Sequence, residues 1–281
     1  MQPILRLFDF KKKIDYRTEI LAGLTVAMTM MPESLSFAIL AGIPPLSGLY
    51  AAFIMGLITA AFGGRPGLIS GGAGATVVVL IALMQSHGLE YVFAAVALAG
   101  VFQLLVGIFR LGKFVRLVPQ PVMYGFVNGL AIIIFTAQLE QFKTEVNGEP
   151  VWLSGNPLYI MVGLVALTIA IVMILPRITR AVPASLVAIL VVFGLVLGLG
   201  IDTRMVKDIA SVSGSLPPFH VPEVPFRMET LSIVFPYALI MAAVGLTEGL
   251  LTLNLVDEIT GSKGNGNRES LAQGAANLLN G

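Results

Sequence analysis

Two acidic residues stand where acids are expensive. Glu33 lies in Met31-Pro32-Glu33-Ser34-Leu35-Ser36-Phe37-Ala38, and Glu248 lies in Gly245-Leu246-Thr247-Glu248-Gly249-Leu250-Leu251-Thr252. Each sits deep in an apolar run long enough to cross a bilayer. An ionisable side chain near the bilayer centre costs about 2.5–3.5 kcal/mol on insertion scales, so such residues face a cavity, a pathway or a partner. Two chemistries fit: a proton or cation site lining a cavity, or a neutral carboxylic acid hydrogen-bonded between helices. Pro32 removes a backbone donor and frees carbonyls beside Glu33, while Ser34 and Ser36 add hydroxyls to the weakened turn. Pro32 by itself is equally explained by a plain kink.

A second set of groups suits an anion. The run Ile69-Ser70-Gly71-Gly72-Ala73-Gly74-Ala75-Thr76 is too glycine-rich to be helical throughout, and the apolar stretch it opens covers only 72–86. A full span needs about 20 apolar residues, so this stretch reads as a half-helix. Irregular backbone at membrane depth is tolerated only where it is buried in protein or lines a cavity. The free amides and positive dipole end of such a helix bind anions, glycines let a ligand approach the backbone, and Thr76 adds a hydroxyl donor. Small-residue helix packing is the competing explanation, and glycine content alone does not separate the two.

These groups must be carried by membrane spans. Of 281 residues, 56% are hydrophobic and 12% charged, against about 25% charged in soluble domains. Mean hydropathy is +0.90. Apolar runs cover 18–41, 46–62, 91–109, 119–138, 157–175, 183–199 and 232–254, besides the short 72–86. A signal peptide does not fit, since the first run is long, contains Glu33 and lacks a small-residue cleavage site. With the N-terminus in the cytoplasm and each of the eight runs counted as a crossing, 13 of the 17 lysines and arginines fall inside and 4 outside. A miscount by one span would scramble that bias. The expected fold is therefore an all-α polytopic inner-membrane protein. Residues 1–17 are expected to form a cytoplasmic segment and 18–281 a transmembrane domain.

Other classes are poorly supported. A net charge of +1 provides no field for nucleic acid. The absence of cysteine excludes disulfides and thiolate metal sites, and His87 and His220 fall in apparent loops. Gly261-Ser262-Lys263-Gly264-Asn265-Gly266 lacks the spacing of a phosphate loop, so no cofactor or nucleotide is expected. Gln103, Asn128, Gln138 and Asn254 read as bridges between helices. The linker 200–231, with Pro217, Pro218, Pro222 and Pro225, reads as an extended cover. Residues 257–269 read as a polar cytoplasmic loop, and 270–277 as the start of a further small-residue helix that the chain leaves incomplete.

On these segments the chain resembles the SulP family of inorganic anion transporters, particularly its bacterial members. The resemblance rests on Pro32-Glu33-Ser34-Leu35-Ser36-Phe37-Ala38, Gly48-Leu49-Tyr50-Ala51-Ala52, Phe62-Gly63-Gly64-Arg65-Pro66-Gly67-Leu68-Ile69-Ser70-Gly71 and Gly245 to Asn254, recurring in order. It implies a domain of 14 segments in two inverted repeats of seven, with half-helices at segments 3 and 10 meeting at the substrate. It also implies a homodimer and, commonly, a following STAS domain. On that pattern the chain holds segments 1–8 and the start of 9 and stops within the second repeat. The resemblance further places Glu248 at the family's acidic coupling position, with Thr252 one turn later. In the family's sodium-dependent bicarbonate carriers that pair binds the cation.

The expected activity is secondary transport of a small anion (sulfate, bicarbonate or a dicarboxylate) by proton- or sodium-coupled symport or by exchange, and not an enzymatic reaction. Ala73, Gly74, Ala75 and Thr76 would bind the anion, with Glu33, Ser34 and Phe37 on the opposite wall. Glu248 and Thr252 would hold the coupling ion, as metal ligands only if that ion is sodium. The alternatives are a nucleobase carrier of the same architecture, an anion channel or an intramembrane hydrolase using both glutamates.

The charge bias generates a topology prediction. In this cysteine-free chain, Asn147→Cys should react with a membrane-impermeant maleimide on intact cells, and Lys113→Cys should not. The reverse labelling pattern overturns the orientation.

Overall fold

The computed structural model describes residues 15–72, 74–112, 120–146, 149–179, 182–203, 205 and 219–281. Residues 1–14, 73, 113–119, 147–148, 180–181, 204 and 206–218, Ala73, Lys113 and Asn147 among them, lie outside the described residues.

Nine helices follow one another among the described residues: α1 (Tyr16–Ala41), α2 (Pro45–Phe62), α3 (Gly74–His87), α4 (Leu89–Ile108), α5 (Gln120–Leu139), α6 (Asn156–Ile178), α7 (Ala184–Leu199), α8 (Met228–Thr260) and α9 (Gly266–Asn280). Five of them, α1, α2, α4, α6 and α8, are long and apolar enough to cross a membrane, while α3 and α7 are shorter apolar helices. The 14-residue α3 matches the expected half-helix. Helix ends follow local chemistry. Asp15 sits before α1 and accepts from the Thr18 amide and hydroxyl, an N-cap that holds its carboxyl below the ordinary range. Pro45 opens α2, where a missing N–H costs nothing. Gly200 and Gly261 end α7 and α8 in the left-handed conformation that glycine adopts freely.

Three departures from the expected pattern are clear. First, α8 continues past the apolar run to Thr260 and α9 begins at Gly266, so the loop between them shrinks to 261–265. Asn265 supplies the reason, capping α9 by accepting from the Arg268 amide at 3.1 Å. Second, the loop after α5 is not plain coil. It contains an antiparallel hairpin of β1 (Lys143–Val146) and β2 (Glu149–Trp152), with Lys143 opposite Trp152 and its ammonium 5.2 Å from the indole centre. Third, Glu269, placed in a loop by sequence, is a fully buried helical residue.

Contacts divide the chain into two units. One combines residues of 33–130 and 213–281, and the other residues of 14–32 and 131–212. The second unit contains the hairpin and the α6–α7 pair. In the first unit α4 and α9 make the most extensive contact, with α2 and α8 also packed on α9 and with α3 packed on α4 and α8. Small residues make the α4–α9 approach possible. A Cβ built on Gly274 would lie 2.6 Å from the Leu104 amide nitrogen and 2.8 Å from the Gly100 carbonyl oxygen. On Gly107 it would lie 2.6 Å from Leu271 Cγ.

Backbone atoms cannot step aside for a new side chain. Gly274→Val should therefore cost about 3 kcal/mol or more, with Gly107→Val less severe because its nearest contact is the Leu271 side chain and the Asn267 carbonyl oxygen stands farther off, at 3.0 Å. Gly163→Ala on α6, where nothing lies within 4 Å, should be neutral or slightly stabilising. Melting temperatures of the purified protein in detergent check the order.

Candidate functional site

All the expected site residues that the structure describes fall within the first unit. Glu33, Ser34 and Phe37 lie on α1 just after Pro32, through which the helix continues. Glu33 is exposed, Ser34 is buried and Phe37 is half-buried. Gly48 explains how α2 reaches this stretch, because a Cβ there would stand 2.6 Å from the Ser34 carbonyl oxygen and 2.7 Å from Ala38 Cβ. That contact accounts for the glycine of Gly48-Leu49-Tyr50. Phe37 lies beside Gly72, whose built Cβ would be 3.6 Å from the ring. The opening of the half-helix and the α1 wall are thus neighbours.

From Gly63 to Gly72 the backbone is not helical, and several of its polar groups find specific partners. The Ser70 amide donates to Thr59 Oγ1 at 3.0 Å, and that buried hydroxyl donates to the Met55 carbonyl at 2.8 Å. The Gly64 carbonyl accepts from the Asn265 amide at 2.9 Å, and the Gly64 amide donates to Glu269 Oε2 at 2.8 Å. Gly74 opens α3, with Ala75 buried and Thr76 half-buried. Ala73 lies outside the described residues.

The half-helix and the acidic helix run in opposite directions. Leu83 shares a core cluster with Val234, Val92 and Ala95. Four residues earlier, Val79 joins Leu80 against Ala238, Met241, Ala242 and Ala99. At about 1.5 Å of rise per residue, one further turn sets Ala75 level with about residues 242–246 of α8, which brings the start of α3 within about a turn of Glu248. Glu248 itself is half-buried, and among the described residues no ion pair or side-chain hydrogen bond engages its carboxylate. Thr252, one turn on, is exposed and donates its hydroxyl proton to the Glu248 carbonyl at 2.8 Å, leaving the oxygen lone pairs available. Among the described residues no three His, Asp or Glu side chains gather into a metal site.

Sequence reading missed a polar cluster beneath this site. Arg65, 8% exposed, is ion-paired with Asp257 and hydrogen-bonded to Thr260, and it donates to the Ser262 carbonyl at 3.0 Å and hydroxyl at 2.8 Å. Asp257 also accepts from the Gly264 amide at 2.9 Å. Glu269, 1% exposed, binds Gly64 and Ser70 on the α2–α3 connection. A signal existed. Glu269, Gln273 and Asn277 recur at intervals of four among Ala272, Gly274 and Ala276, which marks a polar stripe on a tightly packed face. Of the expected bridges, Gln103 is buried and accepts from Asn277 Nδ2 at 2.7 Å, whereas Asn128 and Gln138 are exposed.

A bundle of apolar helices, five of them long enough to cross a membrane, with a short apolar helix packed among them, defines a polytopic α-helical membrane protein. Residues 16–281 match the model of the sulfate permease family, and the chain belongs to that family. It is 43% identical over 265 residues to the protein YbaR of Bacillus subtilis (strain 168), whose assigned name is that of a sulfate transporter, covering 94% of this chain and 53% of YbaR. It is 31% identical over 291 residues to the bicarbonate transporter BicA of Picosynechococcus sp. (strain ATCC 27264 / PCC 7002 / PR-6), covering 94% of this chain and 50% of the relative. The chain thus spans about half the length of these relatives. Among solved structures it is similar to the transmembrane domain of a cyanobacterial BicA, with a TM-score of 0.79 at 28% identity over 95% of this chain and 73% of that one. It also shares the fold of the murine anion transporter Slc26a9 in its inward-facing state, with a TM-score of 0.71 at 18% identity over 96% and 51% of the two chains.

Proposed function

We propose that the protein is a secondary active transporter of a small inorganic or carboxylate anion such as sulfate or bicarbonate. It acts in the inner membrane with its N-terminus in the cytoplasm and works as a homodimer. The observation that carries this reading is the packing of α3 on α8 in opposite directions, which brings the α3 N-terminus toward the turn that bears Glu248. The names of YbaR and BicA favour an oxyanion as cargo. Hydrogen bonds also support the crossing parity. They gather the end of α2, the end of α8 and the start of α9 at one side, while Glu90 at the start of α4 accepts from the Glu223 amide and meets His220 on the segment before α8.

In this reading the anion lies at the α3 N-terminus, against the amides of Ala73, Gly74 and Ala75 and the Thr76 hydroxyl. Glu33, Ser34 and Phe37 form the facing wall. A charged Glu248 opposes the anion. Like charges about 8 Å apart at an effective dielectric near 20 repel by about 2 kcal/mol, roughly thirtyfold in affinity. A proton on Glu248, or a sodium ion held by Glu248 and Thr252, removes that repulsion, so ion and anion load together. Alternating access follows from one bundle moving against the other around this site.

Two substitutions in the full-length protein test the halves of the site. Gly74→Val should abolish sulfate and bicarbonate binding in a well-folded protein, because a branched side chain blocks approach to the amides. Thr76→Val should weaken binding by about 1 kcal/mol, the worth of one neutral hydrogen bond. Parental affinity in folded Gly74→Val removes the anion from α3.

Glu248→Gln is nearly isosteric and cannot ionise. Radiolabelled sulfate and bicarbonate uptake into proteoliposomes should lose its dependence on the proton or sodium gradient. Unchanged ion dependence would remove Glu248 from the mechanism.

A further inference from the structure

The turn that bears Glu248 has glycine on either side, and each glycine is covered by an amide side chain. Gln103 of α4 reaches Gly245, where a built Cβ would lie 3.0 Å from Nε2. Gln273 of α9 lies directly on Gly249, where a built Cβ would overlap its amide nitrogen and stand 3.0 Å from Cδ. Gln273 is 4% exposed, so this contact is closed to water. The same Nε2 group donates one proton to Ser70 Oγ and the other to Glu269 Oε1, each at 3.2 Å. The Ser70 hydroxyl in turn donates to Glu269 Oε1 at 3.3 Å, and Glu269 Oε2 holds the Gly64 amide. Ser70 stands four residues before Gly74, the first residue of α3.

We propose that Gln273, braced by Glu269, is the positioning residue that links the Glu248 turn of α8 to the peptide leading into the anion-binding half-helix. The proposal rests on the reading of Glu248 as the coupling group and of the α3 N-terminus as the anion site. Its physical basis is the absence of slack. A side chain resting on a glycine backbone has no intervening methyl to rotate away, so a shift of the Gly245–Gly249 turn moves the Gln273 amide. That amide has its two N–H groups committed, one to the half-helix leader and one to a buried carboxylate. Glu269 is itself fixed by three donors, from Gly64, Ser70 and Gln273. The link therefore carries a change in the ion-binding turn to the backbone that presents the amides, in addition to direct repulsion between the charges. Gln273 and Ser70 touch neither ligand in this arrangement.

The test uses the full-length protein in proteoliposomes, with radiolabelled sulfate and bicarbonate as probes across a series of pH values and sodium concentrations. Gln273→Met keeps the volume and removes both donors, and Ser70→Ala removes the acceptor. Each should raise the anion KM by about fivefold, the effect of one lost neutral hydrogen bond, and flatten its dependence on the coupling ion, with Vmax within about twofold of the parent. The double variant should be no worse than the more affected single one, because both break one link. Gln273→Asn, one methylene shorter, should not rescue. Retained ion dependence of KM in both single variants, or additive effects in the double, would overturn the proposal. Glu248→Gln measured in parallel separates the two levels. If that variant keeps its ion dependence, the underlying reading fails; if it loses it while Gln273→Met and Ser70→Ala keep theirs, the link alone fails. Should Gln273→Met not purify as a monodisperse species, Ser70→Ala decides by the same criterion.

Discussion

A peptide group within a membrane must have its hydrogen bonds satisfied by protein, and the stretch from Gly63 to Gly72 is where that demand is most severe. It is not helical, so its amides and carbonyls have no ladder of their own. The first unit meets the demand with side chains and backbone from far along the sequence. Thr59 takes the Ser70 amide, Glu269 the Gly64 amide and Asn265 the Gly64 carbonyl. Leaving such a group buried and unpaired costs about 1–3 kcal/mol, so each partner is a condition for the half-helix to start where it does. Glycine at 64 belongs to the same condition, because a Cβ there would run into the Asn265 carbonyl. The position of the α3 N-terminus thus depends on the first turn of α9, some 200 residues later.

This dependence separates what the sequence makes legible from what it hides. Spans are properties of local composition, and the apolar runs locate α1, α2, α4, α6 and α7 to within three residues at each end. The short run and its glycines likewise announce a half-helix, and an acid in an apolar run announces itself. The hairpin at 143–152 is hidden because four-residue strands with charged residues present neither a clean alternation nor an apolar face. The last turns of α8 are hidden because Asp257 and Glu258 look like the edge of a loop, although Asp257 turns inward to Arg65.

Glu269 shows the limit most clearly. Its immediate neighbours, Arg268 and Ser270, suggest a solvated segment, and only the small residues after it hint at close packing. Two of its three partners, Gly64 and Ser70, come from a loop about 200 positions away, and the polar stripe along α9 does not say which distant groups it meets. The same holds for Gly245 and Gly249. As letters they are two more glycines in a membrane helix, and only the structure shows that each accommodates an amide from another helix.

The seam between α4 and α9 has one more consequence. Gly100 and Gly274, each pressed on the other helix's backbone, have no side-chain rotamers to immobilise when they are buried. Contact between them therefore escapes the entropic penalty that grows with temperature and that loosens seams made of leucine or methionine. Backbone pressed on backbone also leaves no alternative arrangement of similar energy into which the pair could slip. The two helices behave as a single stiff piece across the range in which the surrounding lipid softens, and shape change has to be taken up at contacts made by longer, rotatable side chains.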